Sequence, residues 1–483
     1  MNIKPELYFN PKNILPEIIY SKTFSWIIIS FIILVNILIK SYGIGITSMD
    51  LDEAYSVFNA QKEVSDLWQM FNDGDNGDAP LYYFTLHYWM GIFGNTILTA
   101  RSFSLFANIC NIIALYLFAK RHLNFNTAIY ISILLTVLSL QFYFAQEARV
   151  YALSSLFSIL SVWCFFELIK EQKLKQIVLL GFINGALLYA HYSMFVLPVA
   201  QLIIMFFYLF RAVKTSLYFV VSQLISLLIA LPSLLLIDIK SSKGSWSWMR
   251  SPTWSNITLL FEEFSNNYFT FIVMMLLFGL FLVVLLTNMK EPKLWVLFGI
   301  AFGVFSVSYL VSQFIPMFSS RYLFYLQQFI WLLIVYSISL IRQPFKHLLL
   351  VLSFMFLLFS LKPKQEREDW KSTVQYAKEM KKKGYTIIVS PSYMSMPFTY
   401  YFDKSKFEDY NNLYPSMLKD DVIFIKLMDR ELFDYIEIEK VVFISSHQDV
   451  VDPNNENMRI LDERYRFQEK RAFKNIECHV FNE

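Results

Sequence analysis

Ser48-Met49-Asp50-Leu51-Asp52-Glu53-Ala54-Tyr55 puts three carboxylates into four positions directly after the first long apolar run. A connector leaving such a run needs only small polar residues, so three acids there point to proton transfer or cation holding. The bland reading is a helix N-cap, in which a carboxylate such as Asp52 accepts backbone N–H bonds; it accounts for one acid and leaves two unexplained. Further chemistry-bearing residues stand between later apolar runs: Gln146-Glu147-Ala148-Arg149-Val150-Tyr151, His191-Tyr192 and Ser319-Ser320-Arg321-Tyr322. Each has a structural alternative. Glu147 and Arg149 can be a local ion pair, His191 an interfacial packing residue and Arg321 a snorkelling cation. Asp73, Asp75 and Asn76 sit in a Gly-rich tract that reads as an exposed turn. Asp78 differs, because it leads directly into Pro80-Leu81-Tyr82.

The elements that must position these groups are apolar. The chain is 56% hydrophobic, 18% aromatic and 17% charged, whereas soluble domains are about 45–50% apolar and about 25% charged. A mainly α, polytopic membrane protein follows. Runs of about 20 apolar residues, enough to span a bilayer, fall at 24–46, 99–119, 126–145, 151–169, 176–190, 193–210, 217–237, 268–288, 294–314, 322–341 and 346–361, about 11 spans. The aromatic segment 80–93 is shorter. Leaving it out of the count puts Lys4, Lys12 and Lys22 on one side with Lys120-Arg121-His122, Lys170/Lys173/Lys175, Arg211/Lys214, Lys290/Lys293 and Arg342/Lys346. That is the positive-inside pattern. Counting it as a span turns every later basic loop outward. Segments 54–71 and 81–93 therefore read as interfacial helices in the first external loop, with Leu81, Phe84, Tyr88 and Ile92 on one apolar face. The acids and arginines above all fall on the external side, together with the Lys240–Arg250 loop. Groups of both signs from several loops at one face look like a site. Trp246, Trp248 and Trp254 read as an aromatic belt, with carbohydrate stacking as the sharper alternative.

The division expected is 1–361, a transmembrane catalytic domain, and 362–483, an external soluble α/β domain. In the latter, 366–383 reads as an amphipathic helix ended by Gly384, 385–390 and 440–445 as buried strands, 393–402 and 454–463 as helices, and 475–481 as a last strand. The N-terminus reads as a retained first helix. Three dispersed cysteines imply neither a disulfide framework nor a Cys-based metal site. A net charge of +3 with alternating sign gives no nucleic-acid footprint.

The ordered set Asp52-Glu53-Ala54-Tyr55, Asp78-Ala79-Pro80-Leu81-Tyr82-Tyr83, Arg101-Ser102-Phe103-Ser104, Gln146-Glu147-Ala148-Arg149-Val150-Tyr151, Ser320-Arg321-Tyr322-Leu323 and Glu368-Asp369-Trp370-Lys371 resembles the GT-C glycosyltransferases. The resemblance is to the group of protein O-mannosyltransferases and the lipid A aminoarabinose transferase, a glycosyltransferase family 39-like membrane protein. It covers about 370 residues, and no one motif is specific by itself. It implies a polyprenyl-phosphate-sugar donor, a glycan, lipid or protein acceptor on the external (periplasmic) face, and Asp52 as the catalytic carboxylate. The setting would be a bacterial inner membrane with its lipids, and no nucleic acid. Ala79 replaces the family's usual His or Pro before Pro-Leu-Tyr.

The reaction expected is inverting displacement at the anomeric carbon, with Asp52 as general base, Glu53 as its neighbour or a helix cap, and lipid phosphate leaving. Arg149 and Arg321, with Lys240 or Lys243, would meet the departing phosphate. Tyr82, Tyr151 and Tyr322 would line the substrate. Glu147 would position the acceptor or join a divalent metal ion at Asp78 and His191. The competing class is a transporter or lipid flippase, whose signs are midplane charge pairs, broken helices and repeated halves. A third class, a membrane scaffold presenting the α/β domain, leaves the acids of the first loop unexplained.

Overall fold

Among the described residues, the runs long enough to enter a bilayer become helix, because backbone polar groups in hydrocarbon must be satisfied within the segment itself. The computed structural model describes residues 22–73, 79–210, 212–236, 251–362, 367–428 and 438–483. Asp75, Asn76, Asp78, Lys240, Lys243, Trp246 and Trp248, named above, lie outside the described residues, as do Lys4, Lys12 and Arg211. Among the described residues, six helices are long and apolar enough to cross a membrane: Thr23–Ser41, Ile97–His122, Tyr151–Lys170, Val213–Leu234, Tyr268–Thr287 and Pro292–Val311. The run at 126–145 is a pair, Phe125–Leu134 and Ser139–Ala145, bent by 69°. The shorter apolar helices Leu174–Ala190, Tyr192–Tyr208, Phe324–Ser339 and Phe345–Phe359 occupy the remaining expected positions. The protein is mainly α and multi-pass.

The chain packs into two compact units that do not follow sequence order. One comprises Met1–Tyr42, Leu105–Ala145 and Tyr151–Lys362; the other comprises Gly43–Ser104, Gln146–Val150 and Pro363–Glu483. The C-terminal segment thus shares its unit with the first loop and with the Gln146–Val150 turn.

In the membrane unit, helix Phe324–Ser339 is buried along its whole length, as expected of a helix that is apolar all round. One of its polar side chains, Gln327, ends a hydrogen-bonded line. Lys40 Nζ donates to Asn108 Oδ1 at 2.9 Å, Asn108 Nδ2 to Gln141 Oε1 at 3.0 Å, Gln141 Nε2 to Gln327 Oε1 at 3.1 Å, and Gln327 Nε2 to the Phe264 carbonyl at 3.0 Å. The bend in the broken helix is held from two directions. Lys40 Nζ donates to the Leu135 carbonyl, and Asn266 takes the Ser139 N–H on Oδ1 while giving Nδ2 to the Val137 carbonyl. Helix Leu174–Ala190 lies so close to Val213–Leu236 that a Cβ on Gly181 would stand 2.7 Å from the Ser222 carbonyl oxygen.

In the other unit, Asp50 caps helix Leu51–Ala60, its Oδ1 accepting from the Glu53 N–H at 2.9 Å. The cap expected of Asp52 therefore belongs to Asp50, which leaves Asp52 in the first turn. The region read as one helix at 54–71 is two, Leu51–Ala60 and Val64–Asn72. Helix Pro80–Phe93 starts with proline at its first position, where no N–H is needed. The α/β part is a five-stranded sheet of β1 (Thr386–Ser390), β2 (Val422–Phe424), β3 (Lys440–Ser445), β4 (Arg466–Phe473) and β5 (Ile476–Asn482). The order is β2-β1-β3-β5-β4, with β1 parallel to β2 and β3 and the other pairs antiparallel. β1 and β3 are continuous buried apolar runs, the pattern of parallel strands covered on both faces.

Candidate active site

Glu53 organises the acid cluster. Burial by itself raises its carboxyl, but the Arg101 and Arg367 guanidiniums overcome that and hold it at about 2. Arg101 grips it with two prongs, Nε to Oε1 at 2.9 Å and Nη2 to Oε2 at 2.6 Å. Oε2 also accepts from Arg367 Nη1, and Oε1 from the Ala148 N–H at 2.9 Å. Both Glu53 and Arg101 are fully buried. The remaining Arg101 protons go to the carbonyls of Ile44, Thr47 and Ser48 and to the Thr47 hydroxyl. Three distant chain segments thus meet on one carboxylate, and its oxygens are taken by fixed donors. That arrangement suits holding geometry better than moving a proton.

The neighbouring acids behave differently. Burial, then the Glu53 carboxylate, raises Asp50 to about 6. Burial, then Asp50, raises Glu147 to about 8, against the opposing pull of Arg367. Glu147 is therefore protonated at neutral pH and presents an O–H. Asp52 is half-buried, and its carbonyl accepts from Ser56 Oγ at 3.0 Å. Arg149 Nη1 in turn reaches Ser56 Oγ at 3.3 Å and the Tyr83 hydroxyl at 3.5 Å. Tyr82 is fully buried, and burial raises its hydroxyl further, so it stays protonated beside Ser104. Of the residues expected in the site, Asp52, Glu53, Tyr82, Glu147 and Arg149 belong to this unit.

A second set lies in the membrane unit. Tyr151, His191, Arg321 and Tyr322 are among the side chains that line one small concavity, together with Phe324 and Tyr325. The His191 ring stands 5.1 Å from that of Tyr322 and 6.1 Å from that of Tyr151. His191 Nδ1 accepts from the Ser193 N–H at 3.2 Å, so the neutral ring carries its proton on Nε2. Glu263, raised by burial, feels the Arg321 guanidinium in the opposite sense.

Asp78, half of the expected metal pair, lies outside the described residues. Among the described residues, no three His, Cys, Asp or Glu side chains gather as a metal ion would require.

Two cations escaped assignment from sequence. Arg101 stood in a quoted motif without a role. Arg367 immediately precedes Glu368-Asp369-Trp370-Lys371, inside the stretch that reads as an amphipathic helix at 366–383; the helix itself begins at Trp370. That motif itself is positional. Asp369 caps helix Trp370–Lys382 through the Ser372 N–H; Ser48 Oγ donates to Asp369 and accepts from the Lys371 N–H; and Tyr401 accepts from the Met49 N–H at 2.8 Å.

The order of apolar helices, the acid-bearing first loop and the terminal α/β segment make up a GT-C fold. The crystal structure of ArnT from Cupriavidus metallidurans bound to undecaprenyl phosphate has the same fold, with a TM-score of 0.55 and 10% identity over 95% of this chain and 98% of that one. Archaeal oligosaccharyltransferase AglB from Archaeoglobus fulgidus, in complex with an inhibitory peptide and a dolichol-phosphate, matches with a TM-score of 0.51 and 9% identity over 87% of this chain and 69% of that one. Residues 77–236 match the family model of dolichyl-phosphate-mannose-protein mannosyltransferase. No curated protein sequence matches the chain. The resemblance expected from the ordered motifs therefore holds.

Proposed function

We propose that this protein is a membrane glycosyltransferase that moves a sugar from a polyprenyl-phosphate donor to a glycan, lipid or protein acceptor at the external face of the cell membrane. The observation that carries the reading is a buried acid–guanidinium cluster around helix Leu51–Ala60, with Asp52 in its first turn, on a GT-C fold. The lipid phosphates bound in the ArnT and AglB structures support the donor class.

Asp52 takes the acceptor's O–H proton as the acceptor oxygen attacks the anomeric carbon. The bond from that carbon to the phosphate oxygen breaks, the lipid phosphate leaves with the electron pair, and the anomeric configuration inverts. Charge on the departing phosphate is met by Arg149, in the same unit as Asp52, a donor that acts most strongly as the charge develops. Glu147, neutral at physiological pH, donates a hydrogen bond to a sugar or acceptor oxygen and does not compete with Asp52 for the proton. Glu53 and Arg101 hold the helix start. Tyr82 lines the substrate, and the 362–483 segment stands on the external side.

The test is lipid-phosphate release by the purified protein given a panel of polyprenyl-phosphate sugars. Asp52→Asn is expected to abolish release at unchanged expression and melting temperature. Near-wild-type turnover by that variant would remove Asp52 as the base.

A further inference from the structure

Glu53 is already neutralised by a two-pronged Arg101, yet a second guanidinium from the far end of the chain is buried against it. One carboxylate and two guanidiniums leave a surplus positive charge, and burying such a charge is costly unless neighbouring groups use it. Asp50, Asp52 and Glu147 surround the cluster; Arg367 acts electrostatically on Asp50 and Glu147. Its other arm, Nη2, reaches the Gln146 carbonyl at 3.4 Å. The two guanidiniums therefore divide the task. Arg101 ties Glu53 back to the 44–48 backbone, and Arg367 ties it across to the turn that carries Glu147 and Arg149.

We infer that Arg367 is a positioning residue through which the C-terminal segment completes the catalytic cluster, clamping the Asp52 helix to the Gln146–Val150 turn. This deepens the glycosyltransferase reading and rests on it. Neighbouring contacts make the attachment firm: Ser48 bonds Asp369 and the Lys371 N–H, and Tyr401 bonds the Met49 N–H, within the same unit. The α/β segment is then part of the machinery, because Arg367 holds the acids in register.

Arg367→Gln and Arg367→Lys in the full-length, detergent-purified protein test the inference with two readouts. Steady-state release uses whichever polyprenyl-phosphate sugar of the panel the wild type turns over. Amide hydrogen exchange needs no ligand. Loss of register of about an ångström costs about 100-fold in rate, so Arg367→Gln is expected to lower kcat by about that factor with KM for the donor changed little. Lysine, which keeps the charge but not the two-armed reach, is expected to restore part of it. The Ala148 amide, bonded to Glu53 Oε1, is expected to exchange about tenfold faster in Arg367→Gln, while the membrane helices exchange as in the wild type.

Wild-type Ala148 exchange in Arg367→Gln, or wild-type kcat, overturns the clamp. So does a uniform loss of protection across the unit in both variants, since a clamp acts locally. A wild type that turns over no donor in the panel sinks the glycosyltransferase reading instead, and the exchange readout still decides the role of Arg367.

Discussion

Replacing Glu53 with glutamine removes one negative charge and almost no volume, which isolates the electrostatic role of the buried acid that two guanidiniums hold. Two routes give its size. A carboxyl held at about 2 against an ordinary 4.5 corresponds to about 3 kcal/mol of stability at neutral pH, at about 1.4 kcal/mol per unit. Removing one partner of a buried ion pair costs about 3–5 kcal/mol, because the other charge is left uncompensated. The two agree, and Glu53→Gln is expected to lower the melting temperature by on the order of 10 °C. The folded value lies below the unfolded one, so this stability is present above about pH 4.5 and is lost as the pH falls toward 2. The wild-type and Glu53→Gln melting curves should therefore converge in acid. Thermal unfolding of the detergent-purified protein by intrinsic fluorescence, from pH 3 to pH 8, measures it. Pairing the change with Arg367→Gln should recover part of the loss, since one stranded guanidinium goes with its partner. A Glu53→Gln protein that melts within about 2 °C of the wild type at pH 7 would refute the keystone role.

The remaining expectations concern other parts of the molecule. Glu147, raised to about 8, contributes stability that is complete below about pH 4.5 and fades as the pH rises through 8. Glu147→Gln has no proton to lose, so it should match the wild type near pH 4 and outlast it near pH 9 in the same melting assay; parallel curves would contradict the assignment. A methyl group on Gly181 meets the Ser222 carbonyl and the Ile225 side chain at 2.7 Å. Gly181→Ala should therefore cost about 1–3 kcal/mol, and unchanged thermal aggregation would show that the two helices separate freely.

What could be read from residue order alone follows a physical divide. Apolar runs declare themselves locally, and each expected span coincides with a helix or a bent pair. The buried strands at 385–390 and 440–445 were equally visible as β1 and β3, because parallel strands covered on both faces are continuously apolar, and the last strand near 475–481 is β5. β4 (RFQEKRAF) was not, because it is an exposed edge whose charges break any alternation; β2 is three residues long. The break at Leu135–Leu138 contains neither proline nor glycine. Its determinants, Lys40 and Asn266, sit about a hundred residues away on either side. The acids at 50, 52 and 53 stood out as unusual, but which one caps and which one is clamped depends on Arg101, Ala148 and Arg367, whose convergence only the fold reveals.

The hydrogen-bonded line through the membrane unit bears on how the protein is made. Lys40, Asn108 and Gln141 leave the ribosome well before Gln327, so a nascent chain halted in between offers Gln141 no Gln327 to donate to and leaves a polar seam facing lipid. Such a seam is costly in hydrocarbon. Arrival of Phe324–Ser339 closes it, and Gln327 passes the line on to the Phe264 backbone. Quality control in the membrane thereby has a simple mark for an unfinished product: amides still visible to lipid mean that the central helix has not yet docked.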